Sequence, residues 1–127
     1  MMASTLLRLL DEPDPVAIRE RLTDEVRFRS PVADYEGRDD VAHLIATMGV
    51  VLEAVEPARE FEVGPEHTTF IAGSVSSHRF DGVIDEILDE DGRVVEVTLM
   101  LRPMAVLHVA VKAMAAALDE SPLPSRP

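Results

Sequence analysis

The sequence predicts an α+β fold with one core, formed by helices and a curved antiparallel sheet. Three observations lead there: apolar residues recur every three or four positions in three segments, they alternate with polar residues in later segments, and an Asp-Gly turn separates the last two of these. A length of 127 residues with 46% hydrophobic residues suits one globular domain. We expect this domain to span residues 1–120 and to be followed by a flexible tail, residues 121–127.

The first helix is predicted to be broken or bent. Apolar residues recur at helical spacing from Leu6 to Leu22, but the sequence DEPDP interrupts them. Asp14 suits an N-cap, and Pro15 suits the first position of a helix.

A short strand and a second helix come next. Val26 and Phe28 alternate with arginines, as in a half-buried strand, and the strand ends at Ser30-Pro31 because proline cannot donate to the ladder. From Val41 to Val55 apolar residues repeat every three or four positions, which predicts a helix that closes near Pro57.

Four strands in succession are predicted from Arg59 onward, because the apolar period changes to two. The sequence DEDGR between the last two strands indicates a hairpin turn, since Asp-Gly tolerates positive φ. Pro103 opens the last helix, with an apolar stripe from Met104 to Leu118. The residues expected in the core are Met48, Leu52, Phe70, Ile87, Val97, Leu99 and Leu107.

Composition excludes several classes of function. The net charge is −12 and Lys112 is the only lysine, so no basic stripe is available for a nucleic acid. The chain has no cysteine, which rules out disulfides and thiolate chemistry and is compatible with a cytoplasmic location. No apolar segment has the roughly 20 residues of a membrane span, and no export signal is visible.

Two segments together suggest a family. The sequences VRFRSPVADYEGRDDVAHLI and DGVIDEILDEDGRVVEVTLMLRPMAVL resemble the SnoaL-like branch of the nuclear transport factor 2-like superfamily, and the resemblance covers nearly the whole chain. It implies a cone, in which a curved antiparallel sheet wraps around about three helices and a pocket opens at the mouth. Members of this superfamily include ketosteroid isomerases, polyketide cyclases, limonene epoxide hydrolases and binding proteins, so the fold does not identify the reaction.

Ser30 replaces a residue that the resemblance makes important. In the ketosteroid isomerase branch the residue before this proline is the aspartate that moves the proton, and a serine hydroxyl is too weak a base for that step. That branch also uses a tyrosine of the first helix, whereas Tyr35, the only tyrosine here, follows the strand. We therefore favour a structural serine that bonds nearby backbone.

Arg79 and Asp81 have the spacing of the arginine-aspartate pair of limonene epoxide hydrolases. The partner aspartate that this resemblance requires on a later strand is absent, and Glu96 is the only acid there. We favour an ordinary ion pair at a strand end.

Asp85 and Glu86 are adjacent in one predicted strand and point to opposite faces. Both faces carry apolar neighbours, so the pattern does not decide which acid enters the cone. The acid inside would have a raised pKa and could act in proton transfer. A carboxylate paired at a subunit interface is the alternative.

Two histidines, His43 and His78, are better placed for a pocket than the other two, and none has metal-ligand spacing. We expect neither a metal nor a cofactor. Small residues in AGSVSS leave room beside the central strand. The residues expected to bind a ligand are Ser30, Tyr35, His43, Met48, Ser74, Ser76 and Met100, and the catalytic candidates are Asp85, Glu86, His78, Arg79 and Asp81.

Two functions stay open at this point. The preferred one is a binding or accessory protein that takes a small apolar molecule; the alternative is an isomerase, cyclase or hydrolase that uses a pocket carboxylate with histidine or arginine. They differ in whether an acid and a histidine converge inside the cone. We also expect a homodimer through the sheet, because VVEVTLMLR places apolar side chains on both faces.

Overall fold

The computed structural model describes residues 4–126 as four helices and one six-stranded sheet. The elements are α1 Thr5–Asp11, α2 Pro15–Glu20, β1 Leu22–Arg29, β2 Asp34–Glu36, α3 Arg38–Val51, β3 Glu53–Val63, β4 Glu66–Val75, β5 His78–Leu88, β6 Val94–Arg102 and α4 Met104–Glu120. This confirms the α+β class and the curved, unclosed sheet of the cone.

The expected break in the first helix separates α1 from α2. The Ser4 hydroxyl accepts a hydrogen bond from the N–H of Leu7 at the start of α1. Asp14 caps α2 through the N–H of Val16, and Pro15 takes the first helical position. Residues 4–126 therefore contain four helices instead of about three.

The sheet is mixed, whereas we expected an antiparallel sheet. Its strand order is β2-β1-β6-β5-β4-β3, and β1 runs parallel to β6 while all other neighbours are antiparallel. The short strand β2 was not predicted, and it pairs with β1 from Arg27 to Arg29. This topology places β2 at one edge of the sheet and β3 at the other.

Helix α3 ends earlier than its apolar period predicted. Leu52 caps it in an extended conformation, with its N–H bonded to the carbonyl of Met48, and Glu53 already pairs with Ser74 in the sheet. The apolar residue Val55 therefore belongs to β3. Pairing with β4 takes these residues out of the helix although their spacing suits it.

Four of the seven expected core residues are buried: Met48, Leu52, Val97 and Leu99. Leu107 is half-buried. Phe70 and Ile87 were placed wrongly. They lie on the outer face of the sheet, because their neighbours Ile71 and Glu86 point inward.

A bulge reverses the expected faces at the start of β6. Val94 pairs with Leu88, but Glu96 already pairs with Ile87, so Val95 is an extra residue. Val94 is consequently buried and Val95 is exposed, whereas strict alternation back from the buried Val97 would place Val95 inside.

The described residues after α4 pack against the domain, and the flexibility that we expected of this tail stays a prediction. Leu123 is buried with 5% exposure. Asp40 accepts hydrogen bonds from the backbone N–H and the hydroxyl of Ser125. Within residues 4–126, the helices lack the combination of length and apolar character needed to cross a membrane.

Candidate functional site

An apolar cavity of about 200 Å³ lies between α3, α4 and the inner face of the sheet. Successive turns of α3 and α4 form two walls, and β1 and β6 form the floor. The lining residues are Phe28, Ser30, Pro31, Val32, Tyr35, Leu44, Met48, Leu52, Leu99, Leu101, Leu107, Ala110, Val111, Met114, Ala115 and Leu118.

The cavity wall has almost no polar chemistry. Ser30 and Tyr35 carry the only polar side chains that line it, and no carboxylate, imidazole, guanidinium or ammonium group of the described chain does. Such a surface removes the apolar groups of a bound molecule from water. It offers few groups that could donate a proton to that molecule or accept one from it.

Ser30 lines the cavity, but its hydroxyl is engaged with the backbone of the next turn. It donates to the carbonyl of Ala33 at 2.7 Å and accepts from the N–H groups of Val32 and Ala33 at 3.3 and 3.0 Å. This is the structural role that we favoured for Ser30, a serine turn that ends β1.

Two other expected ligand-binding residues, Tyr35 and Met48, also line the cavity. Tyr35 is half-buried on β2 opposite Phe28, and Met48 is buried on α3. The Val32 side chain, 62% exposed, belongs to the loop between β1 and β2. This loop therefore forms the rim of the cavity.

The remaining expected ligand-binding residues lie away from this cavity. His43 Nε2 bonds the carbonyl of Ser121 at 2.7 Å on the outer side of α3. Ser74 is on the outer face of the sheet, and Ser76 is in the turn between β4 and β5 with φ of 48°. Met100 is 61% exposed on the outer face.

Glu86 is the acid that points inward, and it is fully buried beneath α1 instead of in the cavity. Its carboxylate accepts hydrogen bonds from the Ser4 hydroxyl at 2.5 Å and from the Leu6 N–H at 2.8 Å. Burial raises the pKa of Glu86, and these two bonds, together with the nearby His67 and Arg8, oppose the rise. Glu86 thus fastens α1 to the sheet.

Asp85 points to the outer face. It accepts a hydrogen bond of 2.5 Å from Thr68 on β4, and a hydrogen bond with Asp85 raises the pKa of exposed Glu66. Asp85 and Glu86 are therefore on opposite sides of the sheet, as adjacent strand residues must be.

The other catalytic candidates lie at the opposite end of β5. Asp81 forms its ion pair with Arg102 at 3.2 Å, across to β6, and not with Arg79. His78 Nδ1 bonds the carbonyl of Ser76 at 2.9 Å. The structure does not bring any of the five catalytic candidates to the cavity.

Most of the cavity wall was not singled out from the sequence. The sequence predicts an apolar core stripe on α4, and four residues of this stripe line the cavity: Leu107, Val111, Met114 and Leu118. The helical period shows that this stripe faces inward, but it does not show whether the opposite wall is in contact with it.

Comparisons with known proteins support the fold. No protein-family model matches the chain, and no curated protein does either. Among solved structures, an uncharacterised bacterial protein with a cystatin-like fold from Silicibacter pomeroyi is 24% identical with a TM-score of 0.85, covering 94% of this chain and 89% of that one.

Two further structures resemble this chain. A steroid delta-isomerase from Pseudomonas aeruginosa is 25% identical with a TM-score of 0.83, covering 90% of this chain and 86% of its own. An NTF2-like protein of unknown function from Cytophaga hutchinsonii is 15% identical with a TM-score of 0.68, covering 80% and 88% of the two chains. The neighbours share one architecture, and only some have a stated activity.

Proposed function

Because the chain has the nuclear transport factor 2-like fold that its sequence predicted, we propose that it is a binding protein whose cavity holds a small apolar molecule. The observation that carries this proposal is the apolar wall, in which Ser30 and Tyr35 are the only polar residues among those that the structure describes. A ligand with one polar group would direct it to Tyr35 near the rim, because the Ser30 hydroxyl is already bonded to the backbone. The more specific SnoaL-like assignment and the cytoplasmic location stay predictions.

The volume of the cavity limits the ligand. Pockets for drug-sized molecules measure roughly 300–1,000 Å³, whereas this cavity measures about 200 Å³. We therefore expect a molecule smaller than a steroid, bound mainly by the transfer of its apolar surface out of water.

The isomerase alternative has less support, although a steroid delta-isomerase is a structural neighbour. Proton transfer needs a base within hydrogen-bond reach of the substrate. The Ser30 hydroxyl donates a hydrogen bond to the carbonyl of Ala33, and the buried acid Glu86 accepts hydrogen bonds from Ser4 and Leu6 under α1. No base of the described chain lines the cavity.

The experiment is a titration with butanol and hexanol as small apolar probes, followed by calorimetry. Wild type is expected to bind them, whereas Ala110→Phe should bind at least about tenfold more weakly because the ring fills the cavity that Ala110 lines. Ala116→Phe is the matched control, since Ala116 is exposed on the same helix and does not line the cavity. Equal affinity in all three proteins would contradict the proposal.

The homodimer through the sheet is also proposed, and the outer face supports it. Phe70, Val83 and Met100 are neighbours across β4, β5 and β6 and form an apolar row on this face. Phe61, 54% exposed, packs edge-on against Phe70 with 6.2 Å between ring centroids. Phe70 and Val83 are half-buried and Met100 is exposed, and a contiguous apolar row of this kind is typical of interaction surfaces.

The charges around this row suit a second copy. Glu66 and Glu96 lie towards one end of the outer face, while Arg79 lies towards the other, beside the ion pair of Arg102 with Asp81. A two-fold axis through Val83 would place the acidic end of one copy on the basic end of the other.

A further inference from the structure

Leu52 lies between the apolar cavity and a second depression, which we name the α1–β3 groove. The groove has a volume of about 650 Å³ and is formed by α1, the end of α3 and β3. Among the described residues, Leu52 is the only one that lines both spaces. Leu52 therefore lies at the boundary between the two spaces.

The backbone fixes Leu52 in this position. Leu52 is the first residue after α3, its N–H bonds the carbonyl of Met48 at 2.8 Å, and its side chain is 8% exposed. Two residues later, Ala54 adopts a left-handed conformation with φ of 51° where the pairing of β3 with β4 shifts. Since Leu52 caps α3 through its backbone alone, a shorter side chain leaves that bond in place.

The two spaces differ in polarity. The cavity is apolar, whereas Arg8, Asp11, Glu56 and Glu60 line the groove. The sheet topology also separates the rim of the cavity from Leu52: the rim loop follows β1 beside one edge, and Leu52 precedes β3 at the other. The cavity thus extends from the rim loop towards the polar groove and is closed at Leu52.

From this arrangement we infer that Leu52 is a specificity-determining residue that sets the maximum length of the bound apolar molecule. The inference rests on the proposed function of the cavity. Without the Leu52 side chain the cavity opens into the groove, and a longer molecule fits if its far end is polar. Molecules with a polar group at each end then become ligands, because the second group reaches the charged groove instead of an apolar wall.

The test uses primary alcohols from butanol to dodecanol and a dodecanediol with one hydroxyl at each end, measured by calorimetric titration. In wild type, affinity should rise about fourfold per methylene until the cavity is full and then stop rising. In Leu52→Ala the rise should continue through the series. The diol should bind at least about tenfold more weakly than dodecanol in wild type but within about threefold of it in Leu52→Ala.

Leu44→Ala is the matched control. Leu44 is buried, lies on α3, the helix that Leu52 caps, and lines the cavity but not the groove, so the same truncation enlarges the cavity without opening it. In this variant the affinity should stop rising a few carbons later in the series than in wild type. The diol should still bind much more weakly than dodecanol. Leu52→Val, a smaller truncation, provides the same comparison if Leu52→Ala does not fold, as judged by circular dichroism.

Each outcome decides a different statement. In one outcome wild type binds short alcohols, but Leu52→Ala and Leu44→Ala show the same dependence of affinity on alcohol length and the same weaker binding of the diol. This outcome disproves the role of Leu52 and leaves the proposed function of the cavity intact. If wild type binds none of the alcohols, the proposed function fails, and the inference fails with it.

Discussion

The carboxylate of Glu86 accepts a 2.5 Å hydrogen bond from the hydroxyl of Ser4, although 82 positions separate the two residues in sequence. A second bond, from the N–H of Leu6, places the same carboxylate at the start of α1. The buried acid that resembled a catalytic candidate in the sequence thus holds a helix on the sheet.

Glu86→Ala is expected to lower the free energy of unfolding by about 3 kcal/mol, because it leaves buried polar groups of α1 without a partner and creates a cavity. Glu86→Gln keeps an acceptor for Leu6 and should change stability much less. Urea denaturation measures both. Glu90→Ala, in an exposed turn, is the control and should be neutral. A neutral Glu86→Ala would contradict the anchoring role.

Stability should fall with rising pH because of Glu86. Burial raises the folded-state pKa above the ordinary 4.5, so the folded protein binds this proton more tightly than the unfolded chain. The contribution of Glu86 to the free energy of unfolding is therefore complete below the ordinary pKa. It is lost as the pH rises through the folded-state pKa, with a slope of at most about 1.4 kcal/mol per pH unit.

Urea denaturation across this pH range in wild type and Glu86→Gln isolates the effect, since the amide does not titrate. The difference between the two free energies should change with pH in favour of Glu86→Gln as the pH rises. The variant His67→Gln controls for the neighbouring imidazole. A difference that is constant with pH would contradict the raised pKa.

Ser30→Asp should leave isomerisation of a steroid enone at background, as in wild type. A positioned base typically accelerates a reaction by a factor of about 10² to 10⁴. Among the described residues, however, no pair of hydrogen-bond donors lines the cavity to stabilise the oxyanion. Ultraviolet absorbance of the conjugated product measures the rate. Turnover by wild type would overthrow the binding function, and a large gain in Ser30→Asp would reveal donors within the cone.

Leu123→Ala should destabilise the protein by about 2 kcal/mol or more, because Leu123 is buried although it follows the last helix. Val50→Ala, on an exposed position of α3, should change stability by less than about 0.5 kcal/mol. Thermal denaturation compares the two. Equal midpoints would mean that the segment after α4 is a free tail, as the sequence had suggested.

Met100→Glu should convert a dimer into a monomer, since it places a charge in the apolar row on the outer face, at its most exposed member. Val50→Glu introduces the same charge on α3, away from the sheet, and should leave the dimer intact. Light scattering at micromolar concentration measures the mass. A monomeric wild type would disprove the dimer.

The sequence by itself determined the elements whose signals are local. Asp14 and Pro15 begin α2, Ser30 and Pro31 end β1, and Gly92, with φ of 79°, lies in the turn between β5 and β6. Each of these depends on the φ range or the hydrogen-bonding groups of one or two residues, so neighbouring residues suffice to predict it.

Only the tertiary structure decided which face of each strand is covered and where space remains. Asp85 and Glu86 each have apolar neighbours on their own face, so alternation alone allowed either to point inward, and the packing of α1 selected Glu86. The end of α3 at Leu52 was likewise set by the pairing of Glu53 with β4, against a helical period that continues to Val55. A hydrophobic period specifies the direction of a side chain, whereas the distance to the opposite wall, and hence the cavity, depends on how distant segments pack.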